Sequence, residues 1–356
     1  MRQPAPLAFK PDIEEAAKRW DAYYAGDIID RPIVCVTARR EGVRGTRGSN
    51  YHERVYGDLN DIIDRALISA EATYYGGEAV PQMWLSFGCD EIAVFCGGEL
   101  AWSEDSGDTN WSVPFIDSWE TAPPLRLDPD NSYFRRMVEF HRLAAEKMYG
   151  KVLLSPIDLH SNMDLLAAAR GPQRLCMDLL DSPELIDTAM DQARAVFREL
   201  WSTLAAAGRM DEAGYCQGMY SMEGAATLQC DFSCMISPAM FRRWVLPALE
   251  EEAAIVKHAL YHWDGPGAVV HMPDLLASAG LHTLAYVHGD GHGRLSDYVD
   301  LFKAVQKGGK AVSFGGSPDE IKAMHRQLAP NKVMYSTWAS SEAEAEQILE
   351  WFVKNT

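Results

Sequence analysis

The sequence predicts an α/β protein, and within that class a distorted (β/α)8 barrel of the TIM type. Short apolar runs rich in β-branched residues alternate with helical stretches along the 356 residues, and eight such runs occur. The alternative, an open doubly wound sheet, would predict a glycine-rich phosphate turn after the first strand, and "TARREGVRG" is not such a turn. We therefore expect one barrel domain over residues 1–356.

The predicted strands are apolar on both faces, as expected of strands that helices cover on each side. They lie at 32–38, 91–97, 151–159, 213–220, 259–265, 282–289, 310–316 and 332–339. The long stretches 40–90 and 98–150 are predicted to form helices and loops that extend over the barrel mouth, with a β-hairpin around "ELAWSEDSGDTNWSVPF".

Several helices have explicit start signals. Ser182, Ser237 and Ser317 each precede a proline, so serine can accept a hydrogen bond from an unpaired amide while proline has no amide to leave unpaired. Ser317 and Glu320 have the spacing of a capping box. Pro247 lies inside the helix that begins at Ser237, so we expect a kink or break there.

Composition excludes some classes of partner. The net charge of −18 argues against binding to a nucleic-acid backbone or to an anionic membrane. Seven cysteines, an odd number in a chain this long, predict free thiols in a reducing cytoplasm. The first residues, "MRQPAPLAFKPD", lack the apolar segment of a secretory signal, and no run is long and apolar enough to span a membrane.

In a barrel the functional site lies at the carboxyl ends of the strands, so the polar residues there are the candidates. His262 and Asp264 end one predicted strand and share a face, since side chains alternate with a period of two. The other candidates for catalysis are Asp231, Glu223 and Tyr220. The candidates for substrate binding are Arg39, Arg40, Asp158, His160, Trp84 and Trp111.

A divalent metal is also possible at these strand ends. Imidazole, carboxylate and thiolate together suit zinc, and the candidate ligands are His262, Asp264, Cys230 and His288. The competing interpretations are ordinary ones. A histidine at a strand end is commonly a hydrogen-bonding partner, paired arginines are commonly solvated, and tryptophans commonly belong to the core.

Three segments together resemble the uroporphyrinogen decarboxylase superfamily. They are "IDLHSNMDLLAAARGPQRLCMDLLDSPELI" (157–186), "ISPAMFRRWVLPAL" (236–249) and "YHWDGPGAVVHMPDLL" (261–276). The resemblance implies a distorted single-domain (β/α)8 barrel. Members that are true decarboxylases need no metal and hold propionates with arginines in a glycine-containing motif after the first strand. The segment "PIVCVTARREG" lacks that arrangement, so that activity is not expected here.

The other branch of the superfamily contains corrinoid-linked methyltransferases, whose thiol-using members bind zinc through a strand-end His-x-Cys and a later cysteine. The matching position here is His262-Trp263-Asp264, and "VMYSTWASS" has no later cysteine. Oxygen ligands would make a zinc ion more Lewis-acidic and better suited to polarise an ether oxygen. The resemblance therefore implies methyl transfer between a small donor, such as a methyl ether, and methylcobamide on a corrinoid protein, with Asp231 or Glu223 as the acid.

Two rival hypotheses stay open. The chain could be a cofactor-free decarboxylase or lyase that holds a small carboxylated substrate with Arg39 or Arg40 and uses Asp158 or Asp231 as proton donor. It could also be a non-catalytic binding protein on a barrel scaffold, because a fold alone does not define an activity. A homodimer is expected from the resemblance.

Overall fold

The computed structural model describes residues 2–106 and 109–356 and has a mixed α/β fold. The strands are β1 (Ile33–Arg39), β2 (Thr73–Gly77), β3 (Gln82–Trp84), β4 (Glu99–Trp102), β5 (Asn110–Val113), β6 (Leu153–Ser155), β7 (Tyr215–Gln217), β8 (Met219–Ser221), β9 (Ala225–Gln229), β10 (His258–Asp264), β11 (Leu281–Val287), β12 (Ala311–Gly315) and β13 (Val333–Trp338).

Helices surround these strands. They are α1 (Ile13–Tyr24), α2 (Tyr51–Tyr56), α3 (Leu59–Glu71), α4 (Glu91–Phe95), α5 (Ser132–Met148), α6 (Asn162–Arg170), α7 (Pro172–Asp181), α8 (Pro183–Ala207), α9 (Met210–Ala213), α10 (Pro238–Met240), α11 (Leu246–Val256), α12 (Met272–Ala277), α13 (Val299–Lys307), α14 (Pro318–His325) and α15 (Glu342–Asn355). Short 3₁₀ turns follow several strands, among them Asp231–Met235 after β9.

The core of the fold is a seven-stranded sheet in the order β2-β1-β13-β12-β11-β10-β9. Its strands β1 and β9 to β13 are parallel, and β2 pairs antiparallel with β1 at one edge. The carboxyl ends of the parallel strands therefore meet at one side of the sheet, which brings the residues that follow β9 and β10 close together. Buried Val, Ile and Leu side chains fill both faces of these strands.

A closed barrel is not confirmed. Across the described residues, the hydrogen-bonded sheet ends at β2 and β9, and two separate pairs, β3–β6 (parallel) and β7–β8 (antiparallel), lie beyond β9. Strand β7 packs against both β9 and β6, so the curvature of the large sheet continues without a continuous ladder of backbone hydrogen bonds.

One side chain links the strands at this break. The amide nitrogen of Gln217, the last residue of β7, donates to the carbonyl oxygen of Ile157 at 3.1 Å. Its amide oxygen accepts from the backbone N–H of Thr227 in β9 at 2.9 Å. The side chain thus bonds as a peptide group would between the end of β6 and the middle of β9.

The strand predicted at 213–220 is wrong, because the chain reverses within it. Gly218 has φ of +73° and connects β7 to the antiparallel β8, a left-handed conformation that glycine adopts without strain. The chain then returns to the amino ends of the parallel strands before β9 begins. Strand β9 is absent from the sequence-based prediction.

The strand predicted at 91–97 is also wrong, because Glu91–Phe95 form α4. Every residue of α4 is buried, so its sequence lacks the periodicity that tells a helix from a buried strand. Its first residue, Glu91, is a buried acid whose carboxylate accepts from Ser86 Oγ at 2.8 Å and from the N–H of Phe87 at 2.9 Å.

The other strands are placed more successfully. The predictions at 32–38, 259–265, 282–289, 310–316 and 332–339 are confirmed as β1, β10, β11, β12 and β13, whereas only three residues of 151–159 form a strand, β6. The predicted hairpin is confirmed by the antiparallel pair β4–β5. Gly107 and Asp108, which belong to its predicted segment, lie outside the described residues.

The helix starts follow the predicted chemistry with one exception. Ser237 and Ser317 cap their helices with the side chain, and Ser317 and Glu320 form the predicted capping box. Ser182 makes no side-chain cap. The helix around Pro247 has π geometry over Phe241–Val245 immediately before α11, so regular α-helical bonding is interrupted there while the helix continues; the predicted kink or break stays a prediction.

Helix α1 packs across the amino ends of the strands. The Tyr23 hydroxyl lies 2.8 Å from Thr283 Oγ1 of β11, and the Trp20 indole N–H donates to the Glu78 carbonyl. This end of the sheet is therefore covered by aromatic side chains. In the part of the chain that the structure describes, no helix is both long enough and apolar enough to cross a membrane.

Candidate functional site

A group of acidic and imidazole side chains lies at the carboxyl ends of β6, β9 and β10. We call Asp158, His160, Asp164, Asp231 and His262 the His160 cluster. Asp158 and His160 follow β6, Asp164 lies in the first turn of α6, Asp231 follows β9, and His262 is in β10. The sheet topology creates this cluster, because these residues are as far apart in sequence as 158 and 262.

His160 is at the centre of the cluster. Its Nε2 lies 3.8 Å from a carboxylate oxygen of Asp158 and 3.8 Å from one of Asp231, and its Nδ1 lies 3.9 Å from Asp164. His262 Nε2 lies 3.9 Å from the other oxygen of Asp231, which therefore faces both imidazoles. These separations are ion-pair distances rather than hydrogen bonds. The imidazole nitrogens of His160 and His262 can therefore form hydrogen bonds with a bound ligand.

Neighbouring carboxylates raise the pKa of His160. Burial by itself lowers the pKa of a histidine, because it removes water from the charged ring. Here the negative charges of Asp164, Asp158 and Asp231 together outweigh burial, so the pKa of His160 is raised above its ordinary value. The carboxylates therefore favour the protonated imidazolium, the form in which a histidine acts as a general acid.

The pKa values of two acids of the cluster, Asp164 and Asp158, are also raised. Burial raises the pKa of Asp164 to about 6, although the charge on His160 opposes that change. The carboxylate of Asp164 accepts from the N–H groups of Asp231 and Phe232 at 2.9 and 2.8 Å. These bonds fix the start of the turn after β9. Burial also raises the pKa of Asp158, again against the charge of His160.

Asp158 is held in place from two sides. Its Oδ1 accepts from the Gln229 side-chain amide at 2.6 Å, and its backbone N–H donates to Glu91 at 3.2 Å. Burial raises the pKa of Glu91 to about 8, so this acid is largely protonated at neutral pH. Gln229, the last residue of β9, thus ties one edge of the large sheet to the cluster.

A cavity of about 480 Å³ opens beside the cluster. His160, Asp164 and Asp231 line it together with Asp90, whose pKa is raised by burial. The remaining wall is mostly apolar: Trp111, Pro114, Ala167, Ala168, Pro172, Phe232 and Met235 contribute to it. The cavity therefore offers a charged floor and an apolar wall to a small molecule.

Several predicted site residues come together here. His262, Asp231, Asp158 and His160 belong to the cluster, and Trp111 lines the cavity. Asp264 shares the strand face of His262, and its pKa is raised by burial and then by the charge of Asp231. Trp84 ends β3 with an exposed side chain, and its carbonyl lies 3.5 Å from the guanidinium of Arg54.

Tyr220 and Glu223 lie elsewhere. Because the chain turns back at Gly218, both sit near the amino ends of the strands, where they line a cavity of about 120 Å³ together with His258, the first residue of β10. The structure does not bring them together with His262 and Asp264. The sequence-based grouping assumed a single strand through 213–220, and the hairpin removes its basis.

Arg39 and Arg40 lie at the carboxyl end of β1 and line a different cavity, of about 570 Å³, together with Arg44 and Ser340. Within residues 2–106 and 109–356, no carboxylate forms an ion pair with these three guanidinium groups. This groove could therefore hold an anionic group, as the sequence-based prediction of a carboxylate clamp requires.

The four predicted metal ligands do not form a ready-made set. In the described part of the chain, no three His, Cys, Asp or Glu side chains are arranged to hold a metal ion. Cys230 is buried, and burial followed by the charges of Asp164 and Asp231 raises the pKa of its thiol well above the ordinary value, which disfavours the thiolate that binds zinc. His288 follows β11 and lies near the ring of Tyr298.

Sequence reasoning missed Asp164, Asp90 and Glu91. Asp164 lies four residues after His160 in "HSNMD", a spacing that places two side chains on one helical face. That spacing could have identified it. Asp90 immediately preceded a run that was read as a strand, and Glu91 was its first residue, so their position at the carboxyl side of the sheet had no signal in the sequence.

Comparisons with known proteins identify the fold rather than a family. No protein-family model matches the chain, and no curated protein matches it. Among solved structures, a methyltransferase from Methanosarcina mazei is similar, with a TM-score of 0.60 over 96% of this chain and 98% of that chain. The two sequences are 14% identical, so the likeness shows a shared overall fold.

Proposed function

We propose that this protein is a methyltransferase that moves a methyl group between a small methylated donor, such as a methyl ether, and the corrinoid of a partner protein. The observation that carries the proposal is the position of His160 at the floor of a cavity, 3.8 to 3.9 Å from three carboxylates that raise its pKa. The fold shared with a methyltransferase supports the reaction class.

The proposed role of His160 is that of general acid. When the methyl–oxygen bond of an ether breaks and the methyl group passes to a nucleophile, the leaving oxygen takes both bonding electrons and needs a proton. His160 can supply that proton from its imidazolium, and the carboxylates that had stabilised its charge then face a neutral ring. General acid catalysis of this kind contributes about 10²–10⁴-fold in rate.

His262 and Asp264 are proposed to orient the donor. They lie on one face at the carboxyl end of β10, and His262 shares Asp231 with His160. A zinc ion on His262 and Asp264, with Cys230 or His288, would supply Lewis acidity. The side chains as they stand do not form that set, so no step of the proposal passes through a metal.

The wider setting of the proposal follows from the sequence. We take the open sheet and the two strand pairs beside it as a distorted (β/α)8 barrel with helices and loops over its mouth, and the chain as a cytoplasmic member of the uroporphyrinogen decarboxylase superfamily. A corrinoid protein is the proposed partner, and a homodimer the proposed assembly. The strongly negative charge makes nucleic acid or an anionic membrane unsuitable as partners.

The test supplies cob(I)alamin as methyl acceptor and 2-methoxyphenol as donor, under anaerobic conditions. Formation of methylcobalamin is followed by its absorbance and the released catechol by chromatography. The wild-type protein is expected to form both in equal amounts, and His160→Gln is expected to form neither above background. Substantial catechol without methylcobalamin, or equal turnover by the variant, would contradict the proposal.

A cofactor-free decarboxylase is the second candidate, because the groove of Arg39, Arg40 and Arg44 can hold a carboxylate. In that reaction the arginines would bind the substrate and Asp158 or Asp231 would return a proton to carbon. The release of carbon dioxide from small aromatic carboxylic acids, lost in Arg39→Gln and retained without corrinoid, would favour this candidate over methyl transfer.

A further inference from the structure

Beneath the His160 cluster lies a second, fully buried layer of polar side chains. Glu252 of α11 is 1% exposed, and its Oε1 accepts from Ser161 Oγ at 2.8 Å. The side-chain amide of Asn162 lies 3.3 to 3.4 Å from both Glu252 oxygens and donates to the carbonyl of Gln229 at 3.0 Å. Glu252 therefore bonds two of the three residues that lie between His160 and Asp164.

The backbone at this point is unusual. Asn162 has φ of +47°, in the left-handed region that costs a non-glycine residue about 1 kcal/mol or more. Asn162 is also the first residue of α6, so its conformation sets the direction in which the chain enters the helix. A residue held in this conformation needs surroundings that fix it, and the bonds to Glu252 and Gln229 do so.

This turn determines how the cluster is assembled. His160 lies two residues before Asn162 and Asp164 two residues after it, yet both side chains meet at 3.9 Å. The left-handed turn at Asn162 lies between the two residues and sets how the chain passes from His160 into the helix that carries Asp164. Gln229, the acceptor of the Asn162 amide, also donates to Asp158, so the same layer reaches a third member of the cluster.

We propose that Glu252 is a positioning residue: through Ser161 and the left-handed Asn162 it holds His160 against Asp164 and Asp158. Its use in catalysis rests on the proposed function, but its effect on the cluster does not. Glu252 touches neither the cavity nor any group that would meet a substrate. It acts on the charge of His160 by keeping the carboxylates near the ring.

The experiment measures the pKa of His160 by NMR titration of its imidazole carbons. It uses the wild-type protein, Glu252→Ala, Glu252→Gln and Asn162→Gly. In Glu252→Ala the turn is released, so the pKa of His160 is expected to fall by about half a unit or more, a threefold or larger loss of proton affinity. Glu252→Gln keeps an acceptor oxygen for Ser161 and is expected to restore most of the wild-type value.

Asn162→Gly keeps the left-handed turn without strain but removes the amide link. It is expected to lower the pKa of His160 by less than Glu252→Ala does, and it keeps the test usable if that variant does not fold. Glu78→Gln is the matched control, since Glu78 is a buried acid at the amino end, bonded to Arg31. It is expected to lower the melting temperature and leave the pKa of His160 unchanged.

An unchanged pKa of His160 in both Glu252→Ala and Asn162→Gly, with lower melting temperatures, would overturn the proposal, because Glu252 would then only stabilise the fold. The methyl-transfer assay is run in parallel. A wild-type protein that transfers no methyl group, but shows the shift in the variants, would refute the proposed function and leave the positioning role intact.

Discussion

Histidines lie at both ends of the central sheet, and the groups that surround them differ. At the amino end, His282 is bonded to Thr283 Oγ1 at 2.8 Å and to the Tyr23 carbonyl at 3.2 Å, and burial lowers its pKa to about 4. The neighbouring His258 stacks on Tyr24 with ring centroids 3.6 Å apart. Both rings there are neighbours of aromatic groups, and burial lowers the pKa of His258 as well.

At the carboxyl end, burial acts on His160 in the same direction but loses to three carboxylates. The difference shows what decides the charge of a buried histidine: the groups that replace water, rather than the loss of water alone. Aromatic rings and a satisfied hydrogen bond leave a neutral ring with a structural role. Carboxylates at 3.8 to 3.9 Å favour the charged form of the ring, whose proton can be transferred.

The largest expected effect is on turnover. His160→Gln is expected to lower kcat for methyl transfer by about 100-fold or more, because the amide cannot supply a proton to the leaving oxygen. The matched variant at the other end, His282→Gln, is expected to keep kcat and to lose about 1–3 kcal/mol of unfolding free energy, since it disturbs two buried hydrogen bonds. Steady-state kinetics measures kcat, and urea unfolding measures the free energy of unfolding, in each variant. Equal losses of kcat in the two variants would contradict the prediction.

The second prediction concerns the proton affinities themselves. NMR titration of the wild-type protein is expected to show His160 with a pKa above 6.5 and His282 with a pKa of about 4. The two rings would therefore be in opposite charge states at pH 5.5. Titration of both rings near 6.5 would contradict this prediction, because the surroundings at neither end would then shift the pKa of the histidine.

The third prediction uses Glu91, the buried acid behind Asp158. Its pKa is raised to about 8 in the folded protein and lies near 4.5 when unfolded, so the folded state binds more protons between these values. Folding stability attributable to Glu91 is therefore present at pH 4 and is lost as the pH rises toward 8 and above. Glu91→Gln removes this titration.

Urea unfolding at pH 5, 7 and 9 measures the effect. The wild-type protein is expected to lose stability with rising pH more steeply than Glu91→Gln, with the difference largest at pH 9. Ser86→Ala is a useful companion, because it removes one bond to Glu91 while keeping the acid and therefore the slope. Parallel pH profiles for the wild-type protein and Glu91→Gln would show that another group carries the proton.

The smallest expected effect belongs to the cavity wall. Trp111 is 41% exposed and lines the cavity beside His160, so Trp111→Ala is expected to raise KM for the methyl donor a few-fold, with a stability change within about 0.5 kcal/mol. Trp338→Ala, at the more exposed end of β13, is the control and is expected to change neither. A KM that moves equally in both variants would indicate a general surface effect.

The sequence was a good guide wherever one strand or helix decided the outcome. The runs that became β1 and β10 to β13 are apolar and bounded by turn residues, and His262 with Asp264 follows from the pleat of a single strand. Asp158 and His160 were found at the end of an apolar run, and Asp231 was found in the loop that follows another predicted strand. These side chains come together because of the sheet topology, and the sequence predicted only the fold class.

The failures have physical reasons. Glu91–Phe95 are buried all round, so periodicity could not separate a helix from a strand. One glycine, Gly218, turns 213–220 into a hairpin and moves Tyr220 and Glu223 to the opposite end of the sheet. The charge of His160 depends on three acids brought together from β6, α6 and β9, and no local pattern contains that information. The resemblance to the uroporphyrinogen decarboxylase superfamily and the zinc site stay predictions.

The link made by Gln217 has a consequence for how this fold tolerates change. Its amide is both donor and acceptor across the gap between β6 and β9, where side-chain bonds, such as that of Gln229 to Asp158, take the place of a backbone ladder. Glutamate would lose the donor, and asparagine would be one methylene too short to reach both partners. A single substitution at Gln217 could therefore let β6 and β9 move apart. A variant of this kind could admit a larger molecule without any change in the residues that contact it.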